Sequence, residues 1–95
     1  MAESPRRVDL RLTIPAAAPY LAVAVELAGR FAEYSGAAAD AARALALDVE
    51  AAIAPVAAAQ PGKPIDLEMS ARGRELVVTA HAGSTTSRAT CALPD

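Results

Sequence analysis

The sequence predicts an α+β fold: a two-layer sandwich in the order strand, helix, helix, strand, strand, strand, with a mostly antiparallel sheet and both helices on one face. Two observations lead to it. Apolar and polar residues alternate in four short segments, which is the period of strands with one buried face. Two alanine-rich stretches between the first and second segments have the three- and four-residue spacing of amphipathic helices. Helices laid on one sheet face bury every apolar stripe in two layers.

The first strand and the first helix follow each other directly. Apolar residues alternate through residues 8–14, and Pro15 ends the run. A helix is expected over residues 19–35, where Glu26 and Arg30 can pair across one turn of its solvated side. The apolar line opposite, expected to face the core, consists of Tyr20, Val23, Leu27, Phe31 and Tyr34.

The second helix is expected to begin near Ala37. Its apolar line is Leu45, Val49 and Ile53, at four-residue spacing. Pro55 has no backbone N–H and clashes with the carbonyl four residues earlier, so the helix is predicted to end or kink near Ala54.

The last third of the chain predicts a hairpin and a fourth strand. Residues 65–70 and 76–80 alternate as strands, with a turn over residues 71–74. Residues 83–86 are expected to form another turn, and a shorter fourth strand follows over residues 88–93.

Length and composition limit the class of protein. Residues 1–95 make one domain, with residues 1–6 expected to form a flexible N-terminal tail. The chain is 54% hydrophobic but only 3% aromatic, and alanine buries little area, so support from a partner or a second copy is expected. The net charge of −2 and the scattered basic residues argue against nucleic-acid binding.

Cysteine content and hydropathy bear on the compartment. A single cysteine excludes an internal disulfide and fits a reducing, cytoplasmic setting. Charged residues interrupt the alanine-rich stretches, so none reaches the roughly 18 uncharged residues of a membrane span. A cytoplasmic protein without membrane association is therefore expected.

Five segments, taken in order, resemble one known family. Residues 10–15 resemble its first strand and Pro-Ala-like turn, and residues 27–36 its helix that ends before a glycine. Residues 48–54 are similar to a Val-x-Glu-Ala-x-x-Asn box, residues 64–80 to the hairpin that follows it, and residues 83–94 to a Gly-Thr-Thr strand that ends in Leu-Pro. This order resembles the histidine-kinase-like ATPase domain of bacterial anti-sigma regulatory factors, which are serine-protein kinases. The resemblance implies a protein partner, such as a sigma factor or an anti-sigma antagonist.

The chain departs from that family where nucleotide is held. Ala54 stands at the position of the magnesium-binding asparagine, and an alanine side chain offers no oxygen ligand. His81 stands at the position of the adenine-binding aspartate, Gly83 matches the first glycine of that motif, and the ATP lid is missing. The resemblance therefore implies a shortened relative with a degenerate nucleotide site, and we expect no cofactor and no metal. Glu50 matches the catalytic glutamate and would be catalytic only in an active enzyme.

Three functions remain open from the sequence. The first is a non-catalytic protein-interaction module in a bacterial regulatory switch. The second is an active anti-sigma serine kinase that binds magnesium-ATP and uses Glu50. The third is a structural homodimer without ligand.

The other polar candidates have simpler interpretations. His81 has no second ligand nearby in sequence and is expected to make a local hydrogen bond, while Cys91 is expected to be a small buried hydrophobe. The hydroxyl run over residues 84–87 is interpreted as turn chemistry. Ordinary cross-strand pairing is expected among five charged residues: Asp66, Glu68, Glu75, Arg72 and Arg74.

Overall fold

A computed structural model of the protein describes residues 8–93, which form a four-stranded antiparallel sheet and two helices. In chain order the elements are β1 (Val8–Ile14), α1 (Ala18–Tyr34), α2 (Ala39–Ala59), β2 (Ile65–Arg72), β3 (Glu75–Ala82) and β4 (Thr85–Ala92). This order confirms the predicted α+β sandwich. The tail expected over residues 1–6 lies outside the described residues.

The sheet is a meander in which each strand pairs with the next along the chain, in the order β1-β2-β3-β4. Two-residue turns, Gly73-Arg74 and Gly83-Ser84, join β2 to β3 and β3 to β4. The glycines have φ of 61° and 58°, and no other residue type has a positive φ among the described residues. A glycine at the first turn position is the requirement of a type II′ hairpin, whose twist matches that of its strands.

The fourth strand is longer than the sequence predicts. The turn expected over residues 83–86 contains only Gly83 and Ser84, and β4 already begins at Thr85. The expected shorter strand is therefore an eight-residue strand that pairs along the whole of β3. The β-branched Thr85 and Thr86 suit a pleated surface, and the tight turn needs no further residues.

Helix α2 supplies the centre of the core. Leu45, Val49 and Ile53 are buried as predicted, at 2% exposure or less. Of the two predicted outcomes near Ala54, an end or a kink, the end is wrong, because the helix passes through Pro55 and continues to Ala59. Val56, which is fully buried, is held on the core side by that extra turn, so burial outweighs the missing backbone hydrogen bond.

Helix α1 buries a different side from the one predicted. Its core side consists of Ala24, Ala28 and Ala32, which are fully buried, together with Phe31. Small side chains let α1 lie close to α2: a Cβ added to Gly29 would be 3.6 Å from the Cβ of Ala46. Close approach removes area from water along the whole helix, which a row of bulky side chains prevents.

The predicted apolar line of α1 is therefore mostly at the surface. Tyr20, Val23 and Tyr34 are 50%, 55% and 80% exposed. Leu27 is half-buried, and Phe31 alone of the five is buried. We call Tyr20, Val23 and Tyr34 the outer α1 stripe.

The two helices cover different halves of the sheet. Helix α2 lies over β3 and β4, whereas α1 packs against α2 and contacts β1. The predicted pair of Glu26 and Arg30 is present on the solvent side of α1, with 3.5 Å between carboxylate oxygen and guanidinium nitrogen. Within residues 8–93, neither helix is long and apolar enough to cross a membrane.

Candidate functional site

Glu50 and Ala54 share one wall of a groove between the two helices. The groove has a volume of about 440 Å³ and an apolar floor that includes Leu21, Val25 and Ile53. Glu50 and Ala54 are four residues apart on α2, so they lie on the same helix face, and both are exposed. Glu26 is on the opposite wall. Glu50, which would be catalytic only in an active enzyme, therefore lines a shallow apolar groove in which the charged lining groups, among the described residues, are two carboxylates.

His81 lies on the opposite side of the sheet from that groove. It alternates along β3 with Ala80 and Ala82, which are buried under the helices, so its ring is on the uncovered face. Its cross-strand neighbours are Asp66 on β2 and Thr86 on β4. The next residue of β3, Ala82, faces the helices instead of His81. Its side chain cannot accept a hydrogen bond from an adenine amino group.

Gly83 lies in the turn between β3 and β4, next to the C-terminal end of α2. A Cβ added there would be 3.0 Å from the side-chain Cδ and Oε1 of Gln60. The Gln60 amide also donates to the Thr85 hydroxyl, with a distance of 3.3 Å. The Gln60–Thr85 hydrogen bond thus joins the end of α2 to the hairpin, and the missing side chain at position 83 leaves room for Gln60.

The positions that match the nucleotide site of the resembled family, and were expected to be degenerate, are not brought together. Glu50 and Ala54 line the interhelical groove, His81 is on the uncovered sheet face, and Gly83 lies in the turn beside Gln60. Magnesium and phosphate need oxygen or backbone donors that converge on one point. Among the described residues, no group of three His, Cys, Asp or Glu side chains is close enough to hold a metal ion.

A polar cluster surrounds Asp66 on the uncovered sheet face. The Thr13 hydroxyl donates to Asp66 Oδ1 at 2.6 Å, and His81 Nε2 is 3.9 Å from Asp66 Oδ2. On the neighbouring row, Arg11 contacts Glu68 at 3.2 Å. The hydroxyl is bonded to the carboxylate and not to the imidazole, so the cluster lacks the nucleophile-to-base hydrogen bond of a catalytic triad.

The sequence missed this cluster because its members are distant along the chain. The sequence predicts a local contact for His81 and cross-strand pairing among the charges of β2 and β3. The register places Asp66 between Thr13 and His81, and Glu68 beside Arg11 on β1. The contacts with β1 do not follow from the alternation, because alternation alone does not fix the register of the strands.

Cys91 is half-buried on the helix-covered side of β4. Its sulfur lies 3.9 Å from the Ala41 carbonyl oxygen and 3.4 Å from that of Ala92. Burial first, and the negative charge of Asp48 second, raise the pKa of the Cys91 thiol above its ordinary value of 9.0. The thiol is therefore neutral at physiological pH and unsuited to nucleophilic attack.

No family model, curated protein or solved structure matches the chain.

Proposed function

We propose that the protein is a non-catalytic protein-interaction module that binds a protein partner through the outer α1 stripe. The observation that carries this proposal is the exposure of Tyr20, Val23 and Tyr34 on one helix, at 50%, 55% and 80%. The free energy falls when another protein covers large apolar side chains that a helix leaves in water.

The residue types on the stripe suit a protein interface. The chain has two tyrosines, and both belong to the stripe. Tyrosine is enriched at interfaces because its ring buries a large area while its hydroxyl keeps a hydrogen-bond partner. The side of α1 that faces the core is filled instead by three alanines and Phe31.

A place in a bacterial regulatory switch belongs to the proposal through the resemblance to anti-sigma regulatory kinases. Two observations support a lost nucleotide site: the Ala54 side chain has no oxygen, and His81 lies on the opposite sheet face from Ala54. The partner proposed on this basis is a sigma factor or an anti-sigma antagonist. The role left to the fold is binding without phosphate transfer.

Calorimetry with magnesium-ATP and with magnesium-ADP tests the loss of nucleotide binding. We expect no saturable heat at micromolar to millimolar nucleotide. The rival function, an active serine kinase, requires micromolar binding and phosphate transfer to a partner that is lost in Glu50→Gln. Saturable binding with that loss of transfer would establish the kinase and reject the proposal.

Light scattering over graded protein concentration identifies whether the partner is a second copy of the chain. A mass that rises to twice the monomer, and returns to the monomer in the Tyr20→Ser/Tyr34→Ser variant, assigns the stripe to a homodimer. A constant monomer mass assigns it to a different protein. Leu47→Ser is the matched control, because Leu47 is 62% exposed on the other helix.

A further inference from the structure

Within residues 8–93, the outer edge of β4 has no neighbouring strand, so it presents a row of backbone groups without a strand partner. Leu93 N–H donates to the Arg74 carbonyl at 2.6 Å, which identifies this pair as a hydrogen-bonded pair of the β3–β4 ladder. Hydrogen-bonded and non-hydrogen-bonded pairs alternate in an antiparallel ladder. Every second residue of β4 therefore bonds to β3, and the others direct both N–H and C=O to the open edge: Thr86, Arg88, Thr90 and Ala92.

This edge lacks the features that commonly block strand addition. The register of β4 with β3 is continuous over Thr85–Ala92, so the strand has no bulge, and it contains no proline. Arg88 is its only charged residue. By contrast, the other edge strand, β1, carries two charged residues in seven. Proteins protect open edges with charges, prolines and bulges, and β4 has little such protection.

A groove runs beside the open edge, between β4 and α2. Its volume is about 500 Å³, and α2 lines it with Asp48, Ala51, Ala52 and Pro55. The small side chains leave room for the inward side chains of an added strand. Pro55 also lacks an N–H, so the Ala51 carbonyl in this wall has no donor from residue 55.

Two opposite charges flank the groove. Asp48 is on the helix wall, close enough to Cys91 to raise the pKa of its thiol. Arg88 is on the other side, because it alternates with the buried Ala89 and points to the uncovered sheet face. Neither charge has an ion-pair partner among the described residues. A ligand strand with a basic residue on one side and an acidic residue on the other complements both.

We propose that an extended segment of a partner protein adds to β4 as an antiparallel fifth strand, with an acidic residue opposite Arg88 and a basic residue directed at Asp48. This inference rests on the proposed protein-binding function, but it uses the edge of the sheet farthest from β1 and the outer α1 stripe. A second copy is the poorer occupant, because two β4 strands bring together no opposite charges. Main-chain bonds supply the affinity and alternate side chains the specificity.

The register defines a probe peptide. Side chains opposite Thr86, Arg88 and Thr90 point to the uncovered face, and those opposite Ser87, Ala89 and Cys91 point into the groove. An antiparallel strand then needs its basic residue three positions before its acidic residue. The blocked peptide Thr-Lys-Thr-Val-Glu-Val-Thr has this pattern, with Glu opposite Arg88 and Lys opposite Cys91.

Titration of the isotope-labelled protein with this peptide, followed by amide chemical shifts, is the test. We expect saturable shifts at residues 86–92 and 48–55, with a dissociation constant of about 1 mM or tighter. Methylation of the Glu backbone nitrogen should abolish binding, because that N–H donates to the backbone carbonyl oxygen of Arg88. Methylation of the Val that precedes Glu leaves binding intact, because its N–H points away from β4.

Charge reversal separates this mode from general adhesion. Arg88→Glu should weaken the peptide about two- to fivefold, and the peptide with Lys and Glu exchanged should recover the loss in Arg88→Glu/Asp48→Lys. Arg43→Glu, an exposed change on α2 outside the groove, is the matched control. No saturable shift, equal effects of the two methylations, or concentration-dependent shifts at residues 86–92 without peptide overturn the inference. The Tyr20→Ser/Tyr34→Ser variant should retain peptide binding, so failure at β4 and failure of the outer α1 stripe are distinguishable.

Discussion

The Asp66 carboxylate connects the first three strands across the uncovered face. It accepts a hydrogen bond from Thr13 on β1 and lies 3.9 Å from His81 on β3. These side chains are substantially exposed, and exposed polar contacts contribute little to stability. We therefore expect Asp66→Ala to lower the free energy of unfolding by less than about 1 kcal/mol in urea denaturation. A loss of several kcal/mol contradicts this surface role.

The two turn glycines provide a matched pair. Gly73 and Gly83 have nearly the same φ, 61° and 58°, but a Cβ at Gly73 meets nothing within 4 Å while one at Gly83 meets Gln60 at 3.0 Å. Each change to alanine should cost about 1–2 kcal/mol from the positive φ.

Gly83→Ala should cost more than Gly73→Ala, because the Gln60 side chain must move and its bond to Thr85 is disturbed. Denaturation of both variants, with and without Gln60→Ala, measures the difference. If Gly83→Ala and Gly73→Ala cost the same in the protein that keeps Gln60, the predicted clash between the Gly83 turn and Gln60 is contradicted.

Cys91 makes stability depend on alkaline pH. Because burial and Asp48 raise the pKa of the folded thiol, the unfolded chain loses its proton first as the pH rises. Stability from this group is thus fully present below pH 9.0 and falls above it. Iodoacetamide should alkylate folded Cys91 more slowly than unfolded Cys91 at each pH. In Asp48→Asn, the pH dependence of alkylation in the folded protein should shift to lower pH, part of the way toward that of the unfolded chain. An identical profile for folded and unfolded protein contradicts the shift.

At the scale of elements, α1 is the part that the sequence predicted least well. Both of its sides carry apolar residues, so the three- and four-residue spacing indicates a helix without choosing its buried face. The choice depends on how closely α1 approaches α2, and that is a property of the packed structure: a Cβ added to Gly29 would be 3.6 Å from the Cβ of Ala46. For α2 the line of Leu45, Val49 and Ile53 was sufficient, because the other sides carry mainly charged residues and alanine, with Leu47 as a single exposed large apolar side chain.

Substitutions on the two sides of α1 test its orientation. Ala28 is fully buried, so Ala28→Leu should force α1 away from its neighbours and lower the free energy of unfolding by about 1–3 kcal/mol or more. Val23 is 55% exposed, and Val23→Ser should change it by about 0.5 kcal/mol or less. Chemical denaturation of the two variants gives the comparison. If Val23→Ser destabilises the protein more than Ala28→Leu, α1 buries the side predicted from its bulky residues, and the structure's orientation is contradicted.

Pro55 lowers the stability of α2, because it removes one backbone hydrogen bond from the helix. Pro55→Ala restores the N–H that the Ala51 carbonyl lacks, and Pro55 is exposed, so the change leaves no cavity. The variant should be more stable by about 1–3 kcal/mol in thermal or urea unfolding. Pro64→Ala, an exposed proline outside the helices, is the control and should be neutral or slightly destabilising. No gain from Pro55→Ala contradicts a continuous helix to Ala59.

At the scale of the whole molecule, the order of elements followed from the sequence but the candidate site did not. Alternation and helical spacing are local properties, so they predicted β-α-α-β-β-β correctly. Placing His81 near Ala54 required knowing which sheet face His81 occupies, and a shift of one residue along β3 reverses that face. The exposure of Tyr20, Val23 and Tyr34 depends on the packing of α1, which is a tertiary property.

Site-specific photo-crosslinking in the cells that produce the protein tests the central claim most directly. A photoreactive phenylalanine analogue replaces Val23 in the outer α1 stripe or, as the matched control, Leu47 on α2, which are 55% and 62% exposed. If the stripe binds a protein partner, irradiation should give a discrete covalent adduct with a polypeptide from position 23 and much less from position 47. Equal adducts from both positions, or none from position 23, would contradict a protein-interaction module built on the outer α1 stripe.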